Sequence, residues 1–78
     1  MNYIALFFTH SGAIKYNRFL RGKDIKTETS PIPRKLSSSC GIGVRFYMNE
    51  NIDEILSEDL EKIYEIKEED YNLVYQCE

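Results

Sequence analysis

Tyr3–Phe8, YIALFF, constrains the fold more than any other stretch. It is an unbroken apolar and aromatic run with no charged residue. A run of roughly four to eight such residues reads as a buried strand, because helices usually need ten or more. The core is therefore expected to form around a sheet. This strand and Ile42–Met48, IGVRFYM, are the most apolar segments, so both belong inside the sheet rather than at its rim.

The 78-residue chain has room for one domain. A chain this short buries about 60% of its unfolded surface, so its core is marginal but sufficient. Hydrophobic residues make up 42% of it, which argues for a folded globule over a disordered segment. No apolar run approaches the roughly 20 residues of a membrane span. The opening MNYIALFFTH has no basic n-region of a signal peptide. A cytoplasmic protein without membrane attachment is expected.

The remaining segments follow from their periodicity. THSG after the first strand offers Thr9 or Ser11 as a helix cap. Ala13, Tyr16, Asn17 and Leu20 then recur at helical spacing, predicting a helix near 11–21. Gly22 sits at the expected C′ position, with Ile25 closing the cap. DIKTETS alternates with period two, a strand over 25–30 that ends at Pro31 and so belongs at an edge. NENIDEILSEDL predicts a second helix near 50–57, and KIYEIK a strand over 62–67. EED reads as a turn, and YNLVYQ as a fifth strand or a tail packing back. The order β-α-β-β-α-β predicts an α+β, ferredoxin-like sandwich. Its four-stranded antiparallel sheet carries both helices on one face, with the C-terminal strand as an optional extension.

That topology gives the loop PIPRKLSSSCGIGVRF, Pro31–Phe46, its interest. Strands 1 and 2 run parallel, so the loop after strand 2 shares an end of the domain with the turn Thr9–Gly12. Cys40 is then expected beside the N-terminus of the first helix, where free N–H groups favour an anion. Arg34 and Lys35 arrive from the loop, and Gly41 and Gly43 let backbone amides come close to a ligand. Ser38 and Ser39 are small hydroxyl donors that leave the sulfur accessible. All of these favour a thiolate, the nucleophilic form of cysteine. Ser11 and His10 complete the candidate anion site. His10 reads either as a proton donor beside Cys40 or as a surface residue of the turn. The bland alternative for Cys40 is an incidental thiol in a flexible loop.

The stretch Thr29–Phe46 resembles the signature of a family of small bacterial domains described as selenium/sulfur carrier-like proteins. The matching positions are Pro33, Arg34, Leu36, Ser37, Ser38, Ser39, Cys40 and Gly41. FFTHSGAIKYNRFL is similar in looser form to the family's opening segment. The resemblance implies that Cys40 holds a persulfide or selenopersulfide and passes it to a partner protein. The implied partners are sulfur- or selenium-transfer proteins, with a cysteine desulfurase as one donor. The chain would be a carrier and not an enzyme, without a cofactor. The alternative is a non-catalytic module that binds a small anion or phosphate in the same loop. A homodimer is left open.

Charge and cysteine usage exclude other classes. Residues 1–47 carry eight Lys and Arg against Asp24 and Glu28, a net +6. Residues 48–78 carry Lys62 and Lys67 against eleven acids, a net −9. The basic half is either a solvated face or the surround of an anion site. The chain's overall charge of −3 argues against nucleic acid as a partner, and GIGVRFYM lacks the Lys/Arg-Gly-aromatic start of an RNA-binding strand. Without a glycine-rich loop and Arg after strand 1, acylphosphatase-like chemistry is not expected. Cys40 and Cys77 do not make a disulfide framework, and no Cys/His cluster suggests zinc. Cys77 reads as a tail thiol or as a resolving partner of Cys40.

Overall fold

The computed structural model describes residues 1–36 and 41–77. The elements are β1 (Asn2–Phe7), α1 (His10–Arg21), β2 (Thr27–Pro31), β3 (Ile42–Tyr47), a 3-10 turn at Ile52–Ile55, β4 (Leu60–Lys67) and β5 (Asp70–Gln76). The strands make one sheet in the order β2-β3-β1-β4-β5, and every neighbouring pair is antiparallel. This corrects the expected four-stranded, two-helix sandwich. The sheet has five strands, and α1 is its one α-helix among the described residues.

The expected second helix fails for a local reason. The Asn51 side chain caps the segment, accepting a hydrogen bond of 3.0 Å from the Asp53 N–H. Just beyond it Ser57 Oγ accepts one of 3.1 Å from the Asp59 N–H, and a serine that engages nearby backbone competes with continued helical bonding. The segment keeps a single 3-10 turn, and Leu56 is already extended. Ile55 is its buried residue. Beyond it, Leu60 is buried in β4, opposite Phe7. At the other end, the two-residue turn Glu68–Glu69 folds β5 back on β4.

β1 is the middle strand, so its apolar run is covered on both faces. Tyr3, Ala5 and Phe7 join Ala13, Tyr16 and Leu20 of α1 with Val44 and Phe46 of β3. Phe7, Leu20, Val44 and Phe46 each contribute roughly 1.5–3 kcal/mol relative to exposure. The Phe7 and Tyr16 rings lie 5.3 Å apart, and Tyr3 stacks on Phe46 at the same spacing. Ile4 and Leu6 point the other way. There the cover is the segment after β2: Leu36 is buried with them, and Ile32, Tyr64, Ile66 and Tyr71 pack around the cluster.

The end of α1 differs from the sequence reading. Gly22 keeps ordinary helical φ, and Asp24 takes the left-handed position, with φ of 61°. The Ile25 N–H bonds to the Leu20 carbonyl and the Asp24 N–H to the Arg21 carbonyl, both at 3.1 Å. That pair is the Schellman pattern, placed two residues beyond the glycine. Ile25 then packs against the cluster that holds Leu20.

Candidate functional site

The register locates the ends of the signature loop. Pro31 pairs with Ile42, and Gly43 pairs with Leu6 near the C-terminal end of β1. α1 begins at His10, just past that end. His10, Ser11 and Gly41 therefore occupy one end of the sheet, and all three are exposed. A Cβ added at Gly41 would meet no atom of the described residues within 4 Å. Ser38, Ser39 and Cys40 lie outside the described residues, as does Ser37.

Arg34 lies in the loop after β2, ahead of the residues outside the description. It is exposed in the turn closed by the Leu36 N–H and the Pro33 carbonyl, 3.0 Å apart. The neighbouring Lys35 Nζ donates a hydrogen bond of 3.1 Å to the Glu69 carbonyl oxygen. Glu69 sits in the β4–β5 turn, at the end of β4 away from Leu60. Leu60 pairs with Phe7 at the His10 end, and the length of β4 separates the two ends by roughly 25 Å. The segment thus leaves β2 at the His10 end and runs over the sheet face toward the opposite end. Leu36 holds it there against Ile4 and Leu6.

The α1 N-terminus is not a bare set of donors. Thr9 Oγ1 accepts from the Gly12 N–H at 3.0 Å, which makes Thr9 rather than Ser11 the cap. A Cβ at Gly12 would lie 3.1 Å from Asp59 Cβ and 3.5 Å from its Oδ1. A carboxylate therefore already packs over the first turn, where the helix dipole favours negative charge. A side chain at position 12 would force Asp59 or Thr9 to shift by a few tenths of an ångström.

Gly43 also has a packing role. An added Cβ would lie 3.1 Å from Ile4 Cδ1 and 3.2 Å from the Ala5 carbonyl oxygen. It is buried in the sheet, which accounts for the glycine without a ligand. Arg45 stands on the face of Ile4 and donates from Nε to Ser30 Oγ at 3.3 Å. No described carboxylate pairs with it.

Cys77 is exposed, and its N–H donates to the Glu61 carbonyl oxygen at 2.9 Å. This extends the β4–β5 ladder to the His10 end. Three strand spacings, about 14 Å, separate that position from the start of β3. Sequence reasoning missed Asp59 altogether, and named Lys35 and Leu36 without their anchoring contacts to Glu69 and to Ile4 and Leu6. Leu36 alone carried a signal, as an apolar residue in an otherwise polar turn.

A cavity of about 670 Å³ opens far from this end, between the α1 C-terminus and the end of β3, lined by Asp24, Tyr47, Met48 and Glu54 among others. Among the described residues no group of acids, His and Cys is placed to hold a metal. No described helix is long and apolar enough to cross a membrane.

No curated protein and no solved structure matches the chain. A family model described as "Putative Se/S carrier protein-like" matches residues 2–69. The match runs from β1 through the β4–β5 turn, spans Cys40 and stops short of β5. The chain belongs to this Se/S carrier protein-like family.

Proposed function

We propose that the protein carries sulfur or selenium as a persulfide or selenopersulfide on Cys40 and delivers it to a partner protein in the cytoplasm. The observation that carries this reading is the family match, which spans the Ser-Ser-Ser-Cys-Gly loop. The described residues on either side supply a frame: Leu36 is anchored in the sheet face, and Ile42 begins a central strand. The Cys40 thiolate attacks the terminal sulfur of a donor persulfide. A new S–S bond forms on Cys40, the donor's S–S bond breaks, and the donor leaves as a thiolate. No net oxidation occurs, and no other co-reactant is needed. A cysteine desulfurase is a suitable donor class.

A small-anion module built on the α1 N-terminus is less well supported, because Asp59 already packs over that first turn. Intact-mass spectrometry after incubation with a cysteine desulfurase and cysteine tests the carrier reading. The expected gain is about 32 Da, one sulfur on a reversible thiol cap. Cys40→Ser should abolish it. A wild-type chain that gains no mass from persulfide or selenopersulfide donors overturns the reading.

A further inference from the structure

The two edges of the sheet differ in a way that points to a partner. β2, at one edge, is short, ends in Pro31 and carries Glu28. Arg21 Nε donates to Thr27 Oγ1 at 3.1 Å, which ties the α1 end to its first residue. Proline, charge and short length are the devices that stop an edge strand from pairing with another chain. β5, at the other edge, is less protected. It is seven residues long, DYNLVYQ, with a charge only at Asp70, its first residue, and Tyr71–Gln76 carries no charge and no proline. Leu73 is 48% exposed and Val74 40%. Besides Asp70, it carries the register irregularity opposite Ile63 and Tyr64 of β4, which leaves Val74 as an extra residue.

We infer that β5 pairs antiparallel with β5 of a second copy, about a two-fold axis, to make a continuous ten-stranded sheet. The outward N–H and C=O groups of an edge strand accept only another extended backbone. A second β5 offers an uncharged segment of matching length. Charge selects the antiparallel sense. The turn at the start of β5 holds Glu68, Glu69 and Asp70. Parallel pairing would set two such acidic turns side by side, whereas antiparallel pairing sets them at opposite ends, roughly 20 Å apart. Each Asp70 then lies near the partner's Gln76. A two-fold contact of this kind closes on itself and does not propagate into fibres. One strand pair buries less than the roughly 1,200 Å² of a stable interface, so the dimer is weak and concentration-dependent. The inference stands apart from the carrier reading, because the family match ends before β5.

Light scattering with size-exclusion chromatography tests it on the full chain between about 10 μM and 1 mM, the range in which a weak interface titrates. The mass should rise from the monomer's 9.2 kDa toward twice that value. Leu73→Lys and Val74→Lys change exposed side chains, so circular dichroism should be unchanged while dimerisation weakens by about tenfold or more, through like charges opposed across the strands. Glu28→Lys, on β2, should leave dimerisation unchanged. Amide exchange in wild-type β5 should slow as concentration rises. A chain that stays monomeric at about 1 mM overturns the inference, as does a dimer indifferent to both β5 variants. A complex between β5 and a different protein, without self-association, overturns it as well.

Discussion

The Tyr16 hydroxyl donates a buried hydrogen bond of 2.8 Å to the Ile55 carbonyl oxygen, across 39 residues of sequence. It joins α1 to the segment that was expected to form a second helix. Tyr16 belongs to the α1 face with Ala13 and Leu20, and its ring lies against Phe7, Phe19 and Phe46. Tyr16→Phe keeps the ring and leaves the Ile55 carbonyl unpaired. The expected loss is about 1–2 kcal/mol in urea unfolding, the cost of an unsatisfied buried acceptor. A variant as stable as wild type would show that water replaces the hydroxyl.

The same hydroxyl sets an alkaline limit. Burial raises the Tyr16 pKa well above the ordinary tyrosine value. Tyr3 is raised too, by burial first and then by the Glu65 charge. A raised tyrosine means that the folded state holds its proton while the unfolded chain gives it up near pH 10. Stability from this source is complete below that pH and falls as pH rises above it. In alkaline titrations followed by circular dichroism, Tyr16→Phe should show a shallower loss than wild type above about pH 10.

Asp24 predicts a gain. It holds a left-handed conformation, which suits glycine and strains a residue with a Cβ. Its carboxylate also sits just past the negative end of the α1 dipole. Asp24→Gly relieves both, against the greater unfolded freedom of glycine. The net expectation is about 0.5–1 kcal/mol of added stability, a rise of several degrees in Tm. A fall in Tm would mean that the Asp24 side chain contributes a contact worth more than the strain.

These residues show how much the chain disclosed. Unbroken apolar runs marked β1 and β3, period-two alternation marked β2 and β4, and the spacing of Ala13, Tyr16 and Leu20 marked α1, because all of these patterns report local burial. The second helix misled because Ile52, Ile55 and Leu56 fit a helical face. The bond of Ser57 to the Asp59 backbone, just past the turn, was not visible as a competitor. β5 stayed undecided between strand and tail, since an edge strand leaves Leu73 and Val74 exposed and gives no burial pattern. At the site, topology correctly placed His10, Ser11 and Gly41 at one sheet end. The tie from Lys35 to Glu69 and the approach of Asp59 to Gly12 join residues distant in sequence, and one chain alone carries no sign of such pairs.

Leu36 links stability to the loop. Its side chain is 9% exposed and closes the cluster over Ile4 and Leu6, four residues before Cys40. Leu36→Ala should cost about 2 kcal/mol, the low end for a buried leucine, because the site lies at the edge of the core. Hydrogen exchange of Ile32–Leu36 should accelerate, while β1 and α1 amides change only with global stability. If the carrier reading holds, sulfur acceptance should fall as well. Unchanged exchange over Ile32–Leu36 would show that Lys35 and the Pro33 turn hold the segment without Leu36.

The two thiols separate the carrier reading from its competitors. Cys77 is exposed at the His10 end, so both cysteines are candidates for sulfur. The family match spans Cys40 and ends before Cys77, which puts the expected load on Cys40. After desulfurase treatment, peptide mapping should find the added sulfur on Cys40 in wild type and in Cys77→Ser. Cys40→Ser should accept none, yet fold with an unchanged circular dichroism spectrum. If Cys77→Ser instead holds the persulfide longer than wild type, Cys77 acts as a resolving thiol. Its thiolate would attack the Cys40 sulfur, form a Cys40–Cys77 disulfide and release the terminal sulfur as sulfide, with electrons balanced within the chain. Sulfur found on Cys77 in a Cys40→Ser protein would move the carrier role to the end of β5 and sever it from the family's loop.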